Sequence, residues 1–407
     1  MSEIDVQVGP AEVGFDAERL TRIDTHFERY VSDGRLPGWL ALVSRRGRIV
    51  HVGKGGRRDV EAGLPVQHDT LFRIYSMTKP VTSLAAMMLV EEGALGLTDP
   101  VSRYLPAFAH HRVFVKGTAA KPVTVPVVEP MRVWHLLTHT AGLSYGFHHV
   151  GPVDELYRAA GFEWSSPPGM DLAACCDAWA CLPLLFQPGS EWAYSVATDV
   201  LGRLVEVVSG QSLDEFLAER ILGPLDMTDT AFRAVDPARL AALYAVAGGR
   251  VVRYDAMGDA ALHPSSMLSG GGGLISTARD YHRFTRMLAG GGALDGVRLV
   301  GSRTLRYMTR NHLPGGADLE AFGRPLFAEV SYAGVGFGLG FSVVQDPVKY
   351  KVLSSPGEFA WGGGASTFFF VDPVEDLTVL FLTQLLPSSM YPIRTELRTL
   401  VYQALID

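Results

Sequence analysis

One short segment of the sequence has the residue types and spacing of an activated nucleophile, Ser76-Met77-Thr78-Lys79. It opens a helical pattern over residues 76–92, and side chains three positions apart share one face of a helix, so the lysine amine can reach the serine hydroxyl. A serine hydroxyl is a weak nucleophile until a base accepts its proton, and a lysine shielded from water can help to accept it. The segment therefore predicts nucleophilic catalysis at Ser76. The alternative is an ordinary helix N-terminus with a capping serine and a solvated lysine.

A second serine lies in a pattern that other hydrolases use. Gly142-Leu143-Ser144-Tyr145-Gly146 matches G-x-S-x-G, in which a strand precedes the nucleophile and a helix follows it. Here residues 133–138 have a helical pattern, and residues 147–152 are a poor helix start. We therefore expect Ser144 to lie in a turn without a catalytic role.

Four histidines lie close together in the sequence and raise the question of a metal site. His135 and His139 are four residues apart on the presumed helix, and His148 and His149 follow. The stretch lacks the glutamate of H-E-x-x-H, and no cysteine or carboxylate cluster completes a ligand set. We expect structural or surface histidines, and a protein that needs no metal or organic cofactor.

Five segments occur in an order that is typical of one enzyme superfamily. They are FRIYSMTKPVTSLAAMMLVEEGALGLTDPVSRYLP, VWHLLTHTAGL, PGSEWAYS, GPLDMTDT and GGGGLISTARDYHRF. This ordered set resembles the serine β-lactamase and penicillin-binding-protein superfamily, and within it the class C β-lactamase-like family VIII carboxylesterases. The resemblance covers about residues 15–385.

The resemblance implies a role for each matching position. Ser76 would accept the acyl group, and Lys79 would share or relay its proton. Tyr194 matches the tyrosine that acts with this lysine as general base and then protonates the leaving group. The backbone amides of Ser76 and Gly364 would form the oxyanion hole. Tyr145 would line the cleft.

Two positions depart from the lactamase pattern. Where those enzymes carry Lys-Thr-Gly, this chain has Trp361-Gly362-Gly363, which is similar to the esterase branch. The change removes a cation suited to a carboxylate and supplies an indole with one N–H donor. Val196 stands where lactamases of this type have the asparagine of Tyr-x-Asn. The resemblance thus implies neutral, small esters, bound against Trp361, Gly362 and Gly363.

The elements that must position these residues come from both ends of the chain. Hydrophobic periodicity predicts a helix over residues 15–31, strands over 39–44, 49–53, 337–344, 367–372 and 377–383, and a terminal helix over 393–404. Helical patterns at 76–92, 198–209, 212–221 and 277–288 lie between them, the last with a capping-box-like start at Thr277. Asp199 is interpreted as a charge in the first turn of its helix, and the glycines of residues 269–273 as conformational, because no lysine follows them as in a phosphate-binding loop.

These elements predict an α/β (α+β) fold with one sheet built from both ends of the chain. With the resemblance, we expect a β-lactamase/DD-peptidase-like fold, with a central antiparallel sheet flanked by terminal helices and an inserted helical lobe. Residues 1–75 and 266–407 would form the sheet lobe, and residues 76–265 the helical lobe. The cleft between the lobes is the expected site.

Composition narrows the class of protein and its partners. The 407 residues are 47% hydrophobic and carry a net charge of −7, which indicates a globular protein without the basic surface that nucleic acids or anionic membranes require. Apolar runs reach about ten residues, short of the roughly 20 that span a bilayer. The first ten residues do not resemble a signal peptide. Three clustered cysteines, Cys175, Cys176 and Cys181, form no disulfide framework. We expect a cytoplasmic protein, of undetermined oligomeric state.

The resulting hypothesis is a serine hydrolase that cleaves short-chain carboxylic esters through an acyl-Ser76 intermediate. A β-lactamase or D-amino-acid peptidase is an alternative, as is an acyltransferase that uses the same site. A noncatalytic scaffold or sensor is more remote, because a scaffold needs none of Ser76, Lys79 and Tyr194.

Overall fold

The computed structural model describes residues 4–324 and 331–406. Its strands are β1 (Gly38–Arg45), β2 (Arg48–Asp59), β3 (Leu64–Pro65), β4 (Phe72–Arg73), β5 (Arg112–Thr118), β6 (Lys121–Pro126), β7 (Tyr244–Ala247), β8 (Arg250–Arg253), β9 (Ile275–Ser276), β10 (Ala293–Leu294), β11 (Val297–Arg298), β12 (Val335–Phe337), β13 (Ser342–Val344), β14 (Phe359–Gly362), β15 (Phe368–Asp372), β16 (Leu377–Leu382) and β17 (Leu385–Leu386). Its α-helices are α1 (Ala17–Leu20), α2 (Arg22–Ser32), α3 (Thr78–Glu91), α4 (Val133–Leu137), α5 (Pro152–Ala159), α6 (Leu172–Ala180), α7 (Ala197–Ser209), α8 (Leu213–Leu217), α9 (Asp255–Gly258), α10 (Ala278–Ala289), α11 (Ser302–Met308), α12 (Leu319–Phe322), α13 (Pro347–Tyr350) and α14 (Ile393–Tyr402).

The central sheet joins the two ends of the chain. In the described residues it has eight strands in the order β12-β13-β14-β15-β16-β1-β2-β3, and neighbouring strands are antiparallel. The pairing of β1 with β16 brings an early strand beside a late one. This confirms the predicted antiparallel sheet and its origin in both ends of the chain. The division into lobes at residues 75 and 266 stays a prediction.

Alternation along the strands sends side chains into two separate cores. On β1, Leu40 belongs to the core beneath the inner helices, whereas its neighbour Ala41 faces the terminal helices. In this second core, Phe27 of α2 packs on Phe381 of β16 with ring centroids 4.5 Å apart. Leu397 of α14 belongs to the same core. The terminal helices therefore cover one face of the sheet, as predicted.

Several predicted elements have different boundaries in the structure. The helix expected over residues 15–31 is two helices, α1 and α2, that meet at Thr21. The run 337–344 is not one strand, because Gly340 adopts a φ of 96° and a turn separates β12 from β13. The helix expected over 212–221 is α-helical only in α8 and continues as a π-helical turn over Ala218–Leu222.

Two hairpins within residues 76–265 were not anticipated from the sequence. Strands β5 and β6 form one, and β7 and β8 form the other. The side chains of β6 are exposed or half-buried, and most of those of β5 are exposed. These strands are rich in valine, but Val115, Val123 and Val125 are exposed, so burial against a core does not define the hairpin.

Two further features concern the hydrophobicity of the helices and the state of the cysteines. None of the helices formed by residues 4–324 and 331–406 combines the length and apolarity of a membrane-spanning helix. Cys175 and Cys176 are buried in α6, Cys181 is exposed at its end, and all three are unbridged.

Candidate active site

Ser76 lies at the junction between a short strand and the helix that crosses the core. Strand β4 ends at Arg73, a 3-10 turn spans Tyr75–Met77, and α3 begins at Thr78. Tyr75 has a φ of 43°, in the left-handed region that bulky residues adopt rarely. The helix thus begins two residues later than expected, and Lys79 sits in its first turn. Residues 78–89 of α3 are buried on every side, which fixes this turn in the core.

The amine of Lys79 is surrounded by three oxygen atoms. Its Nζ lies 2.7 Å from the carbonyl oxygen of Gly271, 3.0 Å from the phenolic oxygen of Tyr145 and 3.2 Å from Oγ of Ser76. Lys79 is only 1% exposed. An ammonium donates to three acceptors, and a neutral amine keeps two N–H groups and gains a lone pair that can accept the Ser76 proton. The contact therefore permits the proton transfer that activation of the serine requires.

The glycine run of residues 269–273 carries one of these oxygens and is anchored by Asp199. The amide of Gly271 donates to Oδ1 of Asp199 at 3.0 Å, and the hydroxyl of Ser269 donates to the same atom at 2.6 Å. A Cβ at Gly271 would lie 2.5 Å from Oδ2 of Asp199, so any other residue there would displace this carboxylate. Burial raises the pKa of the Asp199 carboxyl, and the charge of Lys79 opposes that rise. Asp199 is in the first turn of α7, as predicted. The sequence analysis did not anticipate that its carboxylate accepts hydrogen bonds from Ser269 and Gly271.

Two tyrosines flank the lysine. The phenol of Tyr145 accepts the hydrogen bond from Lys79, whereas Tyr194 presents its ring to the amine, with Nζ 4.5 Å from the ring centroid. Among the described residues, the Tyr194 hydroxyl makes no hydrogen bond to Ser76 or Lys79; it lies 3.4 Å from Nε1 of Trp361, which donates to it. Burial, and then the charge of Asp199, raise the pKa of Tyr145 well above its usual value. Tyr145 is therefore a neutral phenol near pH 7.

Trp361 and the glycines after it lie at the end of β14. The indole of Trp361 packs edge-on against Phe337, with ring centroids 5.2 Å apart, and is 6% exposed. The Gly363 amide donates to the carbonyl oxygen of Thr367 at 2.8 Å. A Cβ at Gly363 would lie 2.3 Å from the carbonyl oxygen of Ile74, so the strand end approaches the backbone just before the nucleophile.

Two backbone amides at this junction are available to a ligand. Within the described part of the chain, neither the amide of Ser76 nor that of Gly364 donates a hydrogen bond. These are the two donors that the resemblance assigns to the oxyanion hole. Their role in the oxyanion hole stays a prediction, with which two unengaged N–H groups are consistent.

The rival serine is held away from this chemistry. The hydroxyl of Ser144 is buried and donates to Oδ1 of Asp154 at 2.5 Å, and its amide donates to the Tyr157 hydroxyl. Helix α4 precedes it, where a nucleophile elbow needs a strand. The hydrogen bonds of Ser144 therefore hold its loop against α5.

Each of the four histidines contacts another group of the protein. Nδ1 of His135 accepts from the Arg132 amide at 3.0 Å, His139 is buried 3.3 Å from Oγ of Ser195, and Nε2 of His148 donates to the carbonyl oxygen of Tyr194 at 2.7 Å. His149 pairs with a glutamate on the surface. In residues 4–324 and 331–406, no three His, Cys, Asp or Glu side chains converge as metal ligands would.

The site opens into a cavity of about 840 Å³. The predicted site residues in its wall are Ser76, Tyr145, Tyr194, Trp361, Gly362, Gly363 and Gly364, and Val196, Asp199 and residues 271–273 line it as well. Lys79 lies behind this wall, and its amine contacts Ser76 and Tyr145. Most of the remaining lining is aromatic or apolar, as in a pocket for small organic molecules.

The sequence and the fold match one family of proteins. Residues 23–403 match the family Beta-lactamase. Protein Rv1367c of Mycobacterium tuberculosis is 42% identical over 363 residues, covering 87% of each chain, and esterase EstB of Burkholderia gladioli is 33% identical over 97% of this chain and 98% of its own. The solved structure of EstCE1, described as a hydrolase with promiscuous acyltransferase activity, superposes with a TM-score of 0.79 at 28% identity, covering 95% of this chain and 98% of EstCE1. This chain belongs to the Beta-lactamase family.

Proposed function

We propose that this protein is a serine hydrolase that cleaves carboxylic esters through an acyl-Ser76 intermediate. The observation that carries the proposal is the 3.2 Å contact between Nζ of Lys79 and Oγ of Ser76 at the wall of a large apolar cavity. The similarity to EstB, an esterase, and to EstCE1, a hydrolase, supports the same chemistry.

The reaction would proceed in two steps. In the first, Oγ of Ser76 attacks the ester carbonyl carbon while its proton passes to the pair formed by Lys79 and Tyr194. The amides of Ser76 and Gly364 stabilise the charge that develops on the carbonyl oxygen. The alcohol leaves with the relayed proton, and in the second step water attacks the acyl-Ser76 ester and releases the acid.

The wall of the cavity favours neutral esters over β-lactams. Trp361 replaces the lysine that would pair with a lactam carboxylate, and Val196 offers no amide to a lactam side chain. We propose short acyl chains for the group transferred to Ser76. A second activity, acyl transfer, is favoured by the description of EstCE1, because an alcohol that enters the cavity can replace water in the second step.

Labelling and substrate comparison test this proposal together. A fluorophosphonate should add one adduct to the intact protein and to Ser144→Ala, and none to Ser76→Ala. p-Nitrophenyl butyrate should turn over much faster than nitrocefin. An adduct retained by Ser76→Ala would refute the assigned nucleophile, and faster nitrocefin hydrolysis would identify a lactamase instead.

A further inference from the structure

Three stacked aromatic rings run along the cavity wall outward from Lys79. The rings of Tyr145 and Phe147 are nearly parallel, with centroids 4.6 Å apart, and those of Phe147 and Trp164 are 4.9 Å apart with an angle of 10°. All three side chains line the cavity. We call Tyr145, Phe147 and Trp164 the aromatic ladder. Its inner end is the phenol that contacts Lys79, and its outer end, Trp164, is 52% exposed.

The segments that carry the ladder are fixed to each other. A Cβ at Gly146 would lie 2.0 Å from the carbonyl oxygen of Phe162, so the two backbones touch beside the stack. Phe162 is buried against Trp179, with ring centroids 5.3 Å apart. The segments that carry Phe147 and Trp164 are therefore fixed to each other, and the half-exposed indole of Trp164 stacks on Phe147 at the outer end.

The position of the ladder relates it to one part of an ester. In the proposed mechanism, the carbonyl oxygen of a bound ester accepts hydrogen bonds from the amides of Ser76 and Gly364. The oxygen of the leaving alcohol must lie near Lys79 and Tyr194, from which it receives its proton. Tyr145 is hydrogen-bonded to Lys79 at the inner end of the ladder. The ladder thus begins where the alcohol departs and extends from there toward solvent.

We infer that the aromatic ladder is a binding subsite for the leaving alcohol and that it selects alcohols with flat rings, such as phenols and naphthols. The inference deepens the proposed function and rests on it. A short acyl chain would occupy little of a cavity of about 840 Å³, so the alcohol has room for a bicyclic ring. Aromatic faces prefer parallel, offset contacts, and a ring laid on the wall would continue the stack.

Two acetates that form the same acyl-enzyme test the subsite. For 2-naphthyl acetate and ethyl acetate only the alcohol differs, so the ratio of their kcat/KM values measures alcohol selectivity. Trp164→Ala should lower this ratio about tenfold, the size expected for a lost ring contact with its buried area. Val150→Ala, which removes an exposed apolar side chain outside the cavity wall, should leave the ratio unchanged. An unchanged ratio in Trp164→Ala would overturn the inference.

Direct binding separates this inference from the proposed function. In Ser76→Ala, which cannot form an acyl-enzyme, 2-naphthol should still bind in a calorimetric titration. Adding Trp164→Ala to that protein should weaken binding about tenfold. Equal affinity in the two proteins would refute the ladder even if Ser76 proves to be the nucleophile. Loss of binding on Trp164→Ala would support the subsite even if labelling identifies another nucleophile.

Discussion

Lys79 donates a hydrogen bond to the phenol of Tyr145 at 3.0 Å, while the Tyr194 ring stands 4.5 Å from the same amine. The two tyrosines therefore meet the lysine in different ways, one through its hydroxyl and one through its ring face. Burial and the charge of Asp199 keep the Tyr145 phenol protonated. Tyr145 is thus suited to hold the amine in place, whereas the proton relay assigned to Tyr194 requires its hydroxyl, now 3.4 Å from Nε1 of Trp361, to come within hydrogen-bond reach of Ser76 or Lys79.

The two tyrosines should differ in their effect on catalysis. Tyr194→Phe should lower kcat/KM for p-nitrophenyl butyrate by about 10³-fold, within the range of general acid–base catalysis. Tyr145→Phe should lower it about tenfold, because Lys79 loses one acceptor and becomes less well placed. The pH–rate profile of Tyr145→Phe should also shift, which a merely structural change would not cause. A larger loss in Tyr145→Phe than in Tyr194→Phe would assign the relay to Tyr145 instead.

Trp361 combines a packing role with a hydrogen bond, and two substitutions separate them. Trp361→Phe keeps an aromatic ring against Phe337 and Tyr194 but removes the Nε1 donor to the Tyr194 hydroxyl. It should cost less than about 1.5 kcal/mol of stability and reduce activity less than about tenfold. Trp361→Ala should cost about 3–5 kcal/mol through the cavity it leaves. Urea unfolding measures both, and equal stabilities would contradict the packing role.

The adjacent glycines of the same strand end make a matched pair. A Cβ at Gly363 would meet the carbonyl oxygen of Ile74 at 2.3 Å, whereas a Cβ at Gly364 would meet only Cδ2 of Leu386 at 3.8 Å. Gly363→Ala should therefore cost about 1–3 kcal/mol and displace the strand end from Ser76, with a loss of esterase activity. Gly364→Ala keeps its backbone amide and should change stability by less than about 0.5 kcal/mol. Thermal unfolding that affects both variants alike would contradict this assignment.

The sequence predicted the sheet and the inner helix because their signals are local and periodic. The central strands and α3 are long apolar patterns, so burial follows directly from residue type. Ser76 and Lys79 are three positions apart, and one helical turn brings them together. Their contact with Tyr145 and the glycine run depends on chain segments about 70 and 190 residues away, which no local pattern encodes.

Other features were missed because their signals were weak or ambiguous. Asp199 looked like an ordinary charge in a first helical turn, and its bonds to Ser269 and Gly271 exist only in the folded protein. The run 337–344 contains enough apolar residues to mask the turn at Gly340. The ladder joins Phe147 and Trp164 across a helix, so neither residue stands out in the sequence alone.

Buried histidines should make the fold sensitive to mild acid. Burial, and then the charges of Arg286 and Arg283, lower the pKa of His282 to about 3, and its Nε2 lies 2.9 Å from Oγ of Ser44. An unfolded histidine titrates near pH 6.5. Above that pH His282 is neutral in both the folded and the unfolded state, so the histidine does not lower the free energy of unfolding. Below it only the unfolded state takes up the proton, and stability falls by about 1.4 kcal/mol per pH unit for this residue until the pH approaches the folded pKa.

Urea unfolding between pH 7 and pH 5 measures this contribution in a window above most carboxyl titrations. The free energy of unfolding should fall as the pH is lowered. Below pH 6, His282→Gln should reduce the slope of this free energy against pH by the contribution of about one proton. His282→Gln is expected to be less stable at pH 7, because the tight packing of α10 on the sheet is disturbed, so the slope and not the absolute stability carries the test. His263→Gln, at an exposed position, is the control and should keep the slope of the parent protein. If the slopes of both variants equal that of the parent, His282 is not buried in its neutral form.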